Sequence, residues 1–275
     1  MLFFNLIKKI NSFSNENAKI FSIGKTTLNR DTLCVKVGRG RPVIIIQYAI
    51  HAREYITSYL ALLEIERAIK NYKFGTIYFV PVANPDGVAL CMDGIKSVED
   101  EKKQKALLDI NKSQDFSLWK ANINAVDLNV NFPALWGQGA ENTKIEGGAN
   151  FIGKDAGSEK ETQNLMQLTY RVKPDLTVSY HSKGEVIYYE FYQNARRLKR
   201  DKLIAIKLAK WTGYTLLPLG ASSGGYKDWC IQEFKIPSFT IEVGADNLKH
   251  PLKLDDLPSI WRQNEFVVQN LLALL

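Results

Sequence analysis

The strongest constraint on this chain's fold is a set of short β-branched runs with little polar alternation: RPVIIIQYAI from Arg41, GTIYFVPVANPDG from Gly75, DLTVSYH from Asp175 and IPSFTIEVG from Ile236. A strand that shows water neither face belongs to a sheet covered on both sides. Amphipathic stretches lie between the runs, YITSYLALLEIERAIKNY and KLIAIKLAKWTGY among them, and the C-terminal LPSIWRQNEFVVQNLLALL repeats apolar residues at helical spacing, which predicts one closing helix. The alternation predicts an α/β protein: a three-layer α/β/α sandwich with a mixed, mostly parallel central sheet.

At 275 residues the chain is long for an average domain but ordinary for one large α/β unit, so a single domain over 1–275 is expected. The N-terminal MLFFNLIKKINSFSNENAKIF has Lys8 and Lys9 interrupting its apolar residues and no small-residue cleavage site. It reads as an amphipathic helix within residues 1–20, not as an export signal. No run approaches the 18 or so apolar residues of a membrane span, and the expected location is cytoplasmic. Cys34, Cys91 and Cys230 are far apart and form no C-x-x-C pair, so reduced thiols are expected.

The net charge of +7 permits an acidic partner, but the basic residues are dispersed. Their densest cluster, ARRLKRDKLIAIKLAK from Ala195, has helical periodicity and is accounted for by a solvated helix face. No nucleic-acid module is visible, and an anionic small substrate is the better reading. Between residues 91 and 157 the regular pattern breaks down into a charged stretch, SVEDEKKQKALLDINKSQD, and a Gly- and Asn-rich one, NFPALWGQGAENTKIEGGANFIGKDAGSEKE. Long irregular segments inside compact domains are usually functional.

In open α/β sheets ligands bind beyond the carboxyl ends of the strands. There IIIQYAI delivers His51 and Glu54, LTVSY delivers His181, and SFTI delivers Glu242; the chain has only three histidines. Imidazole and carboxylate suit Zn²⁺, and a catalytic zinc keeps three protein ligands and one open position. His51, Glu54 and His181 would form a His₂Glu set for one zinc ion, leaving Glu242 as the spare carboxylate that metal-assisted hydrolysis needs as general base. Taken singly, H-x-x-E is also explained as a helix cap, and Glu242 as half of a buried ion pair.

The ordered series HARE, VPVANPDG, AVDLNVNFPALWG, SYHSKG, SSGGYKDW and FTIEVG resembles the zinc carboxypeptidase family over residues 44–243. Within it, WKAN…VDLN and TIEVG look most like the bacterial γ-D-glutamyl-L-diamino acid endopeptidases that cut peptidoglycan stem peptides. The resemblance implies His51, Glu54 and His181 as zinc ligands, Glu242 as general acid/base, and NPDG (Asn84 to Gly87) as a turn beside the site.

Departures from the family pattern bear on substrate. The family's Asn-Arg pair is matched by Asn129 and Val130, so the arginine that grips a terminal carboxylate is missing. The family's substrate-closing tyrosine is matched by Gly220, with Tyr226 nearby as a candidate substrate contact. For the oxyanion donor, Lys120 after Trp119 is the first candidate and Asn124 the second. Lys227 falls where the family sets side-chain preference, and a lysine there favours an acidic group or else points to solvent. Gly224 and Gly225 permit close backbone approach to a ligand, or a plain turn.

The resemblance thus implies a zinc metallopeptidase that hydrolyses an amide bond in a small anionic peptide or muropeptide. A metallocarboxypeptidase or small-molecule deacylase keeps the same metal chemistry. A non-catalytic binding module would have lost a ligand or the glutamate, and this chain has lost neither.

Overall fold

The computed structural model describes residues 1–15, 17–220 and 223–275, which leaves Ser222 of the SSGGYKDW motif outside the described residues. Eight strands form one sheet: β1 (Ala18–Lys25), β2 (Asp31–Arg39), β3 (Val43–Tyr48), β4 (Gly75–Val80), β5 (Leu176–Ser182), β6 (Val186–Tyr188), β7 (Thr215–Leu217) and β8 (Ser238–Val243). Their spatial order is β1-β2-β4-β3-β5-β8-β6-β7. The four middle strands, β4, β3, β5 and β8, run parallel, while β1, β2 and β6 pair antiparallel. This is the mixed sheet expected from the apolar runs, and every residue of β3 and β5 is buried.

Helices cover both faces: β3 and β4 send apolar side chains both ways, while β5 and β8 are apolar on one face and carry Thr, Ser, His or Glu on the other. On one face Ile44, Ile46, Val178 and Ile241 pack with residues of α1 (Leu2–Asn11), α2 (Ile56–Lys70), α6 (Ala195–Thr212), α8 (Leu257–Asn264) and α9 (Val267–Leu274). On the other, Ile45 and Val80 pack with Leu165 and Leu168 of α5 (Lys160–Val172) and Trp229 of α7 (Tyr226–Trp229). Truncating one of these buried aliphatic residues to alanine costs about 2–5 kcal/mol.

Three details differ from the sequence reading. The first helix ends at Asn11, and from Ala18 the chain is already in β1 and β2, whose half-exposed pattern is a weak strand signal. The C-terminal helix is two helices, α8 and α9, broken at Glu265 and Phe266. The stretch read as irregular holds α3 (Pro85–Asp93) at its edge and α4 (Glu101–Asn111) inside it, the latter capped by the Asp100 carboxylate on the amides of Lys102 and Lys103. Only Leu107 of α4 is buried, so no apolar stripe marked it. Phe116, Trp119 and Ile123 pack with Leu90 and Leu107 in a small separate core, which fixes the loops that flank the cleft.

Candidate metal centre

The strand β3 stops because its continuation is held in a turn. Ala49 takes a positive φ of 48°, its amide donates to Thr57 Oγ1, and that hydroxyl donates to the Glu54 carbonyl. Asn84, capping α3, donates from Nδ2 to the carbonyls of Ile50 and Ala121. HARE is therefore a 3-10 turn, Ala52–Glu54, fastened from both sides before α2 begins, and NPDG is one of the fasteners.

His181 reaches the same point from β5. Thr177, Ser179 and His181 share one face of that strand, opposite the apolar Leu176, Val178 and Tyr180. In the sheet register His181 pairs with Glu242 of β8, so both side chains leave the same face side by side.

The result is a compact donor set. His51 Nδ1 lies 2.9 Å from Glu54 Oε1, and His181 Nδ1 lies 3.0 Å from Glu54 Oε2 and 3.1 Å from His51 Nδ1. All three residues are buried, and their donor atoms fall within 4.8 Å of one another. Two imidazole nitrogens and a carboxylate converging on one point is the donor chemistry of a divalent metal site.

Asp127 orients this set. Its Oδ1 accepts from His51 Nε2 at 3.1 Å, so Nε2 carries the proton and, in the neutral ring, Nδ1 keeps its lone pair for a metal. Its Oδ2 takes the Lys120 ammonium at 2.9 Å and the Asn150 amide at 3.1 Å. Burial opposes the charge on Asp127, but Lys120 and His51 outweigh it and hold the carboxyl well below its usual range. Glu54 is likewise held low against burial by His51 and His181. Asp127 went unassigned in the sequence reading although it sits within the quoted AVDLN; a carboxylate two residues before Asn129 was the available signal.

A cleft of about 240 Å³ opens beside the donors, lined by His51, Lys120, Asn129, Val130, Lys227 and Glu242 among others. Glu242 makes no hydrogen bond or ion pair among the described residues and faces this space; burial, with Glu54 adding to it, pushes its carboxyl up to about 7. Lys120 stays charged, since Asp127 and Glu54 outweigh the desolvation that opposes the ammonium. Lys227 is buried rather than solvent-facing: Nζ sits 2.6 Å from Asp228 Oδ1 and donates to the Glu190 carbonyl at 2.8 Å.

Two expected site residues are not brought to the cleft. Asn124 donates to Thr27 Oγ1 and Glu159 Oε2 and accepts from Lys103 Nζ, which leaves its amide occupied outside the cleft lining. Tyr226 is fully buried with its hydroxyl on Thr169 in the apolar core between sheet and α5, so it offers no substrate contact. Gly224 uses its close approach against protein: a Cβ there would stand 2.8 Å from the Val130 carbonyl oxygen, at a φ of +88°.

Fold and donor set define a metallohydrolase-like α/β domain, and comparison with known proteins places it. Residues 4–266 match the family model described as zinc carboxypeptidase, and the chain belongs to that family. It is 30% identical over 257 residues to gamma-D-glutamyl-L-diamino acid endopeptidase 1 of Lysinibacillus sphaericus, covering 88% of this chain and 64% of that protein. The chain therefore spans under two thirds of that relative's length. Over 72 residues it is 42% identical to murein peptide amidase A of Escherichia coli K12, covering 22% of this chain and 28% of that protein. Carboxypeptidase A from Helicoverpa armigera shares the fold with a TM-score of 0.74 at 20% identity, over 98% of this chain and 71% of that one. No helix among the described residues is long and apolar enough to cross a membrane.

Proposed function

We propose that the chain is a zinc-dependent peptidase that hydrolyses an amide bond in a peptidoglycan stem peptide, at a γ-D-glutamyl-diamino acid linkage. The observation that carries this reading is the convergence of His51, Glu54 and His181 with Glu242 beside them, unpartnered among the described residues. The donor set fits one zinc ion, which when bound supplies carbonyl polarisation and a more acidic water. The Lysinibacillus endopeptidase and the Escherichia amidase, by their names enzymes of such peptides, support the substrate class.

The chain's own residues then have distinct tasks. Glu242 accepts a proton from the attacking water and returns it to the leaving amine, a role suited to a carboxyl whose pKa lies near neutrality. Lys120, lining the cleft and held charged by Asp127, answers the negative charge that develops on the scissile carbonyl oxygen, a donor worth about 3–4 kcal/mol in other hydrolases. Asp127 positions both His51 and Lys120. Asn129 and Lys227 face the substrate; the Lys227 ammonium has three protons and two protein acceptors, which leaves one for a substrate carboxylate.

Val130, which lines the same cleft, has no group that could bind an anion, which argues against capture of a C-terminal carboxylate at that position. Digestion of defined tri- and tetrapeptide stems beside ordinary peptides with free C-termini, read by product mass, tests the reading. Cleavage of the stems with the ordinary peptides left whole is expected. The reverse pattern would make the chain a carboxypeptidase.

A further inference from the structure

The charged side chains that line the cleft are not all paired with one another. Both lysines that line it are matched, Lys120 by Asp127 and Lys227 by Asp228. Two carboxylates lining it have no ion-pair partner among the described residues: Glu242, already given a role in catalysis, and Glu141. Glu141 is exposed, but its loop is fixed, because Asn142 Nδ2 donates to the Ser223 carbonyl at 3.0 Å and the Thr143 amide to the Asn150 carbonyl at 3.0 Å.

Tyr188 of β6 lines the same cleft. Val186 is in register with Glu242 and Tyr188 with Thr240, so Tyr188 and Glu242 leave the same face of the sheet. Gly220 also lines the cleft and lies close to this ring: a Cβ built there would stand in van der Waals contact with Tyr188 Cε1, at 3.9 Å. Burial and the nearby carboxylates of Glu242 and Glu141 keep the phenol protonated, a neutral aromatic group next to an uncompensated negative charge. A carboxylate beside an electron-rich ring is a cation-accepting surface.

We infer that Glu141 and Tyr188 form a recognition site for a free primary ammonium on the substrate, and so select a peptide whose far end is zwitterionic. The inference rests on the stem-peptide reading and deepens it. Lys227 takes the carboxylate of that end, and Glu141 with Tyr188 takes the ammonium beside it. An exposed charge pair and a cation over a ring together account for a preference of about tenfold.

The test uses zinc-loaded protein carrying Glu242→Gln, which turns over too slowly to interfere, titrated calorimetrically with N-acetyl-γ-D-glutamyl-meso-diaminopimelate, whose only free amine is at the far end of the diaminopimelate, and with the same compound acetylated there as well. The amine form is expected to bind about tenfold more tightly. Adding Glu141→Gln should bring the two affinities within about threefold, and adding Tyr188→Leu should weaken the amine form several-fold with little change for the acetylated one. A ratio unmoved by Glu141→Gln overturns the ammonium site while leaving the stem-peptide reading intact. Failure of the folded, zinc-loaded protein to bind either form overturns both.

Discussion

His181 and Glu242 lie directly opposite one another on the neighbouring parallel strands β5 and β8, which sets a proposed metal ligand beside the proposed general base. The roles assigned to the two separate cleanly. Glu242→Gln keeps size and shape but cannot take a proton, so turnover should fall by about 10²–10⁴-fold while one equivalent of zinc still binds. A variant that cleaves at the parental rate would remove Glu242 from the mechanism.

His181→Ala should instead abolish metal binding. A ligand at about a thousandfold its Kd stabilises the folded state by about 4 kcal/mol, so zinc should raise the melting temperature of the parent and leave that of His181→Ala unmoved. An equal rise in both proteins would place the metal elsewhere.

Asp127 touches neither metal nor substrate in this account, yet it holds His51 through Nε2 and Lys120 through its ammonium. Asp127→Asn should weaken zinc binding by about 10–100-fold, the usual effect of losing a ligand's orienting partner. The measurement is competition with a chromophoric chelator. Unchanged affinity would reduce Asp127 to a structural ion pair.

A stability prediction comes from the core behind the site. Glu64 of α2 is buried and accepts from the Tyr48 hydroxyl, and Tyr48 stacks on Tyr180 with ring centroids 5.1 Å apart. Burial pushes the Glu64 carboxyl up to about 8 from an ordinary 4.5. The folded state therefore holds the proton that the unfolded state releases, and the stabilisation, whole below about 4.5, is lost as pH rises to about 8. The slope over that window approaches about 1.4 kcal/mol per pH unit. Glu64→Gln cannot ionise, so its advantage over the parent should grow from pH 5 to pH 8 in denaturant melts. Parallel curves would mean that Glu64 is solvated.

The sheet and the candidate donor set were legible because few alternatives fit. A run such as VIII, apolar on both faces, has no place but a covered strand, and His51, Glu54, His181 and Glu242 sit where such strands end. The strands β1 and β2 were not legible, since one side is open to water and their apolar residues follow no strict alternation. Helix α4 escaped because its cap and charged surface, rather than a buried stripe, support it. Around the cleft, adjacency along the chain misled: Tyr226 next to Lys227 points into the core, and Asn124 is drawn off by Glu159. Glu141 and Tyr188 carry no motif, and only the fold brings them to one cleft.

The central claim is zinc-dependent cleavage of a stem peptide, and mass spectrometry of an L-alanyl-γ-D-glutamyl-diaminopimelate tripeptide incubated with metal-stripped and zinc-loaded protein tests it most directly. The account predicts two products, from a single cut at the γ-D-glutamyl bond, that appear only when about one zinc is bound per chain. An intact tripeptide in the presence of protein that carries its zinc would contradict it.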